Sequence, residues 1–209
     1  MNENLTHIIF LIDRSGSMSI IKESVLSGFN NLIREQKKIN VGETKLSLYQ
    51  FDTFFQCDYE MVDISDVSIL TEDGFSPRGG TALYSSLGKL IADYGKKLSS
   101  LEESKRPKRV LVVTITDGEN NSVLLEEKKQ YTQQEVFDMI KHQQEKYSWE
   151  FAYIGANQDS WKVGNGLSID GSKTLNYTAN HSGSIAMFHT LNDSVTNYRC
   201  VASSSFKLS

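Results

Sequence analysis

The sequence predicts an α/β protein with one doubly wound, mostly parallel sheet of six strands and helices on both faces. Short apolar runs alternate with segments whose apolar residues recur every three or four positions, as in strands joined by helices. The run at 110–116 is β-branched and almost continuously apolar, as in a central strand that is covered on both faces. With 209 residues, of which 39% are hydrophobic, the chain fits a single domain, residues 1–209.

The first half is predicted to contain three strands. The first strand covers 7–13, and the apolar positions from 21 to 33 then fall on one face of a helix. Strands at 45–51 and 54–62 are separated only by Asp52 and Thr53, so we expect an antiparallel hairpin. A long connection over 63–80 should contain a helical turn near 67–70 and end in the flexible turn 77–80.

The second half continues the alternation. Thr81 is predicted to open a helix, because the apolar positions from 83 to 98 have amphipathic spacing. Asn157, Gln158 and Asp159 end a later strand, and Asp159 is interpreted as a helix cap. After the strand at 110–116 we predict a helix at 132–147, a strand at 149–154, a short helix after Asp159, an edge strand at 174–177 and a last helix at 182–198.

Charge and composition argue against nucleic-acid and membrane partners. The net charge of −4 gives no general attraction to nucleic acid or to an anionic membrane, and no apolar stretch is long enough to span a bilayer. The basic residues of 105–109 precede a strand and are interpreted as a solvated loop. No export signal is evident, so we expect a cytoplasmic protein in which Cys57 and Cys200 remain free thiols.

Five residues with short oxygen-bearing side chains follow strands or precede a helix: Asp13, Ser15, Ser17, Thr81 and Asp117. Singly, each has an ordinary explanation, because Ser and Thr cap helices and Asp-Gly forms turns. Jointly, they should meet at one edge of the sheet, where ligands of open α/β sheets bind. Two facing carboxylates repel each other without a cation, and an all-oxygen set suits Mg²⁺, with Mn²⁺ or Ca²⁺ as alternatives.

These segments resemble the metal-ion-dependent adhesion site of the von Willebrand factor type A family. The matching motifs are Asp13-x-Ser15-x-Ser17, Gly80-Thr81 and Thr116-Asp117-Gly118. The resemblance implies the sheet order 3-2-1-4-5-6 with strand three antiparallel, in agreement with the hairpin. It also implies that Asp13 and Asp117 bind the metal directly or through water, and that Ser15, Ser17 and Thr81 supply hydroxyl ligands. Among family members, the chain is most similar to the free-standing cytoplasmic type of bacteria and phages.

The resemblance implies binding rather than catalysis. Mg²⁺ prefers six oxygen ligands, so one position is left for an exposed Asp or Glu of a partner protein. Near the site, Val123-Leu124-Leu125 in the loop 119–131 could form a contact patch or pack onto the domain. Arg14 could pair with a partner carboxylate or with Glu119.

Two other functions stay open on sequence grounds. A phosphohydrolase of the haloacid dehalogenase type also carries an Asp after its first strand and binds Mg²⁺. Its chemistry needs a second Asp two residues later as general acid, and Ser15 occupies that position. Alternatively, the metal could be structural in a protein that acts as a scaffold through its helices, in which case chelation would leave partner binding intact.

Overall fold

The structure, a computed structural model, describes residues 1–156, 158–201 and 205–208. Apolar alternation and helical spacing produce the expected succession of strands and helices. The strands are β1 (Asn2–Asp13), β2 (Glu43–Phe51), β3 (Phe55–Asp63), β4 (Pro107–Thr116), β5 (Glu150–Ala156) and β6 (Thr174–Tyr177). The α-helices are α1 (Lys22–Lys37), α2 (Leu83–Ser100), α3 (Gln133–Tyr147), α4 (Ser160–Asn165) and α5 (His181–Cys200).

The strands form one sheet in the order β3-β2-β1-β4-β5-β6, which confirms the predicted fold class. β3 is antiparallel to β2, while β2, β1, β4, β5 and β6 pair in parallel. The register pairs Ile12 of β1 with Ile115 of β4, so the two central strands end side by side. Residues that follow β1 and β4 are therefore neighbours in space.

Alternate residues of β1 face two different cores. Ile8 and Phe10 pack with α1 and α5 on one face of the sheet. Ile9 and Leu11 pack with α2 and α3 on the other face. Helices therefore cover both faces, and the central strands are buried on each side, as their continuous hydrophobicity predicts.

The two outer strands are less regular than the central ones. The pairing of β2 with β3 shifts register at two places, around Leu48. Met61 of β3 has a φ of 52°, a left-handed conformation that is uncommon for a residue with a side chain. At the opposite edge, β6 has only four residues.

Some boundaries differ from the prediction. The helical turn expected near 67–70 is instead a 3-10 turn at Ile64–Asp66, because the Asp63 side chain accepts a hydrogen bond from the Ser65 N–H and caps it there. A 3-10 turn, Gly16–Ile21, precedes α1. Further 3-10 turns occur at Glu103–Lys105 and Gly171–Lys173.

The helix expected to open at Thr81 begins at Leu83, and the last helix begins at His181 after the capping residue Asn180. Asp159 caps α4 as predicted, accepting a hydrogen bond from Lys162 N at 3.1 Å. Asn157, named with it in the sequence analysis, lies outside the described residues.

Among the basic residues of 105–109, the two arginines are not simply solvated, which corrects the sequence-based interpretation for them; Lys105 and Lys108 are exposed as expected. Arg106 Nε donates to Leu101 O, and Arg109 Nη1 donates to Tyr198 O, so both guanidinium groups satisfy backbone carbonyls of the fold. Cys57 and Cys200 are exposed and free, as expected. In the part of the chain that the structure describes, no helix combines the length and apolar character needed to cross a membrane.

Candidate metal centre

Asp13 forms the buried floor of the candidate site, at the carboxyl end of β1. Its Oδ1 accepts a hydrogen bond from Ser15 N at 2.6 Å, and its Oδ2 accepts one from Thr116 Oγ1 at 2.6 Å. The carboxylate is thus fixed by the turn that follows β1 and by the last residue of β4. The bond from Thr116 follows from the parallel register that brings the ends of β1 and β4 together, whereas the bond from Ser15 is local to the turn.

Ser15 and Ser17 connect the two carboxylates. Ser17 Oγ donates to Asp117 Oδ1 at 2.7 Å, and it lies 3.1 Å from Ser15 Oγ. Asp13 and Ser15 are buried, Asp117 is half-buried and Ser17 is exposed. The cluster therefore has a closed floor and a side that opens to solvent.

Thr81 reaches the same cluster from the turn before α2. A Cβ placed on Gly118 would lie 3.5 Å from Thr81 Oγ1 and 4.0 Å from Ser17 Oγ, so these hydroxyls both lie beside Gly118. The structure therefore brings together all five residues that the sequence singled out: Asp13, Ser15, Ser17, Thr81 and Asp117.

The helix-capping explanation of the three hydroxyls does not hold. Ser15 precedes the 3-10 turn Gly16–Ile21 but makes no side-chain capping bond, and the N-cap of α1 is Ile21 rather than Ser17. Ala82, which cannot cap through its side chain, occupies the N-cap position of α2. Asn120 Oδ1 instead accepts the hydrogen bond from Tyr84 N, at 3.1 Å. The hydroxyls are therefore not consumed by capping and can serve a ligand.

Burial makes two ionised carboxylates costly at this position. Burial raises the pKa of Asp13 to about 6, although hydrogen bonds from Thr116 and Ser15 partly offset the effect and the charge of Asp117 adds to it. Burial also raises the pKa of Asp117, against the hydrogen bond from Ser17. A divalent cation between them would stabilise both charges.

The donor set fits a hard cation. No group of three or more His, Cys, Asp or Glu residues is arranged for a metal ion within the described residues. The cluster offers two carboxylates and three neutral hydroxyls, all oxygen donors with short side chains. Such a set suits Mg²⁺, which keeps water molecules where protein ligands are few.

Arg14 has a structural partner, which corrects the expectation that it pairs with Glu119. Arg14 Nε donates to Asp52 Oδ2 at 2.8 Å and Nη1 donates to Gln56 Oε1, and no bond to Glu119 is formed. Arg78 Nε donates to the same oxygen of Asp52 at 3.0 Å. A carboxylate buried at the end of β2 requires such charged donors, and its burial could not be read from the sequence.

The loop 119–131 is partly packed and partly free. Leu124 is buried and packs onto the domain, whereas Val123 and Leu125 are exposed, so the contact patch stays a prediction for these two residues. Sequence reasoning missed Asn121, whose Oδ1 accepts from Thr81 N at 2.8 Å and whose N–H donates to Thr81 O at 3.0 Å. An Asn after Asp-Gly suggests a turn, but its partner lies 40 residues away.

No protein family model and no curated protein matches this sequence. Solved structures are similar in fold. The PilB minor pilin from Streptococcus sanguinis matches 98% of the chain, with a TM-score of 0.66 and 12% identity. VWA2, an ArnB paralog from Sulfolobus acidocaldarius, matches 93%, with a TM-score of 0.57 and 16% identity. Proximal thread matrix protein 1 from the mussel byssus, whose metal-ion-dependent adhesion site (MIDAS) motif is occupied by zinc, matches 91%, with a TM-score of 0.56 and 15% identity.

The chain spans 64% of that pilin and 45% and 46% of the other two chains. At these identities the likeness shows the fold and not the function. The sheet order and these neighbours together define an α/β domain with the von Willebrand factor type A fold.

Proposed function

We propose that this chain is a metal-dependent interaction module that binds an acidic residue of a partner protein. Mg²⁺ would be held by Asp13, Ser15, Ser17, Thr81 and Asp117, with Mn²⁺ or Ca²⁺ as alternatives. The observation that carries the proposal is the convergence of these five oxygen-bearing side chains at one edge of the sheet, with none of the hydroxyls used for capping. The zinc-occupied MIDAS motif of a structural neighbour supports a metal at this position.

The residues at the buried floor and at the solvent-facing side of the site have different roles. Thr116 and the Ser15 N–H hold Asp13 in place, and Ser17 holds Asp117. The bound cation supplies an electrophilic position for a carboxylate. Because Ser17 is exposed, that position faces solvent and is accessible to a side chain of another protein.

Exposed apolar residues at the same end support a protein as the partner. Ile20 in the 3-10 turn after the ligands is 78% exposed, and Val123 and Leu125 in the loop after Asp117 are 48% and 65% exposed. Large apolar side chains left in solvent beside a binding site are typical of protein contacts. Neither nucleic acid nor membrane is part of the proposal.

The proposed module is not an enzyme, and we place it in the cytoplasm as a domain of the bacterial or phage type. The exposed free thiols of Cys57 and Cys200 are compatible with a reducing compartment. Against a phosphohydrolase, Ser15 replaces the acid needed two residues after Asp13. Turnover of p-nitrophenyl phosphate that is lost in Asp13→Asn would contradict this part of the proposal.

A library of peptides with a central Asp, compared with the same library carrying Asn, tests the proposal. We expect the protein to retain only the Asp peptides, and only when Mg²⁺ is present. Retention should disappear in EDTA or in the variant Ser17→Ala, which removes the exposed hydroxyl. Glu102→Gln is the matched control, since Glu102 lies just before the 3-10 turn at Glu103–Lys105, far from the ligands. Equal retention of Asp and Asn peptides, or retention that ignores EDTA, would overturn the proposal and favour a structural metal.

A further inference from the structure

A second concave site lies between α2 and α3, at the end of the sheet opposite the metal centre. The cavity measures about 330 Å³, within the range of small-molecule pockets. Gly95 and Lys96 from the last turns of α2 contribute to its wall, and Trp149 just before β5 contributes to its base. The metal ligands follow the carboxyl ends of the strands, so the length of the sheet separates the two sites.

The wall of this cavity is positively charged. Lys96 is exposed, and its ammonium makes no ion pair or hydrogen bond with the described residues. Arg106 is fixed, since its Nε donates to Leu101 O at 2.9 Å and its Nη2 to Ser99 O at 2.8 Å, yet both acceptors are neutral carbonyls. Among the described residues that line the cavity there is no carboxylate, so neither cation is neutralised there. A concave surface with uncompensated cations attracts anions.

Aromatic rings form the rest of the wall. Trp149 is 6% exposed and stacks on Phe151, with ring centroids 6.2 Å apart. His142 and Tyr147 lie edge to face at 5.7 Å, and Tyr147 is largely exposed. Aromatic walls provide flat apolar area against which a planar group can pack.

We propose that this cavity binds a small aromatic anion, with its planar ring against Trp149 and Tyr147 and its charged group beside Lys96 and Arg106. The cavity continues into an adjoining cavity of about 390 Å³ that is lined in part by Asp138. Repulsion from the Asp138 carboxylate orients the ligand, so that its anionic group lies at the end of the cavity near Arg106. The site does not depend on the metal centre.

Two pairs of probes test the charge requirement on the full chain by isothermal titration calorimetry. Phenylacetate is compared with phenylacetamide, and AMP with adenosine, so that a carboxylate and a phosphate are each matched to a neutral molecule of similar shape. We expect at least one anion to bind about tenfold more tightly than its neutral counterpart, since hydrogen bonds to charged groups are the stronger ones. The better of the two anions identifies the charged group that the site prefers.

Gly95 allows the cavity to be filled without damage to the fold. A Cβ on Gly95 meets only Gln143 Nε2, at 3.5 Å, an ordinary contact, and Gly inside a helix is unfavourable. Gly95→Leu should therefore remain folded and lose anion binding, while the control Gly95→Ala keeps it. Lys96→Gln should weaken binding about threefold, as expected for an exposed charge. Lys105→Gln is its control, because Lys105 pairs with Glu102 outside the cavity.

Three results would overturn the proposal. The first is equal binding of the anions and their neutral counterparts. The second is unchanged anion binding in a folded Gly95→Leu variant, with folding checked by its unfolding temperature. The third is the absence of heat with both phenylacetate and AMP up to about 10 mM.

Discussion

Arg14 and Asp52 form a buried ion pair, with Arg14 Nε 2.8 Å from Asp52 Oδ2, that holds the proposed metal-binding turn against the end of β2. Arg14 stands between the proposed ligands Asp13 and Ser15, so its position determines theirs. Arg14 O also accepts a hydrogen bond from Arg78 N at 2.8 Å, which brings the turn 77–80 against the same segment. One carboxylate thus organises two of the three segments that build the site.

Asp52→Asn should lower both stability and metal affinity. Removing one partner of a buried ion pair leaves an uncompensated charge, and we expect the free energy of unfolding to fall by about 3 kcal/mol in urea titrations. Arg78→Gln is the control, because that side chain is 57% exposed and its loss should cost less than about 1 kcal/mol. Equal effects of the two substitutions would contradict the central role of the Arg14–Asp52 pair.

Mg²⁺ should stabilise the folded protein. At a free concentration a hundred times its dissociation constant, a ligand that binds only the folded state adds about 2.7 kcal/mol. For a chain of this length that corresponds to a rise of about 5–10 °C in the unfolding temperature, measurable by differential scanning calorimetry. KCl at matched ionic strength is the control, and the rise should be lost in the double variant Ser17→Ala/Thr81→Ala. An undiminished rise in that variant would place the ion elsewhere.

Asn121→Ala should weaken Mg²⁺ binding although Asn121 is not a proposed ligand. Its side-chain Oδ1 accepts the hydrogen bond from Thr81 N, which the substitution removes, and loss of groups that orient metal ligands typically costs about tenfold or more in affinity. Asn120→Ala is the matched comparison, since Asn120 bonds Tyr84 N at the start of α2 and should cost about 1 kcal/mol of stability. Titration calorimetry should therefore show a lower Mg²⁺ affinity for Asn121→Ala than for Asn120→Ala. Equal Mg²⁺ affinities of the two variants would refute the positioning role of Asn121.

His7 should make the protein less stable in mild acid. Its Nε2 lies 2.9 Å from Ser47 Oγ, its Nδ1 is buried without a hydrogen-bond partner among the described residues, and burial lowers the pKa of His7 from 6.5 to about 3, assisted by the charge of Lys97. The unfolded chain therefore binds a proton that the folded chain rejects, so the His7 contribution is complete above pH 6.5 and declines as the pH falls towards 3.

Between pH 7 and pH 5 this linkage amounts to about 2 kcal/mol of unfolding free energy. His7→Phe keeps a ring at the position and removes the titration, so the stability difference between wild type and variant should change by that amount over this pH range. Parallel curves for wild type and His7→Phe would show that His7 is not the titrating group.

The fold and the meeting of the five candidate ligands at one edge of the sheet were predictable because both follow from local rules. Alternation of 2.0-residue and 3.6-residue periods identifies the strands and helices, and short connections such as Asp52–Thr53 set the direction of β3. Parallel strands end at one edge of the sheet, so polar residues after β1 and β4 had to meet there. The helix boundaries were less certain, since Asp63 and Asn180 supply caps that compete with apolar spacing.

The supporting groups of the site could not be predicted in the same way. Nothing in the sequence distinguishes Asp52, which is fully buried between two arginines, from an ordinary turn aspartate. Asn121 is likewise one of two adjacent asparagines, and only the folded loop determines which of them meets Thr81. Such contacts depend on packing between segments distant in the chain, for which composition and periodicity carry no signal.

The irregular margins of the sheet affect how readily copies of the protein associate through their outer strands. A long, flat outer strand offers unpaired N–H and C=O groups to a second chain, and such strands are common starting points for aggregation. Here the left-handed Met61 and the register shifts around Leu48 distort one margin, and the four residues of β6 leave little length at the other. Neighbouring copies therefore find poor templates for strand addition at either margin of the sheet.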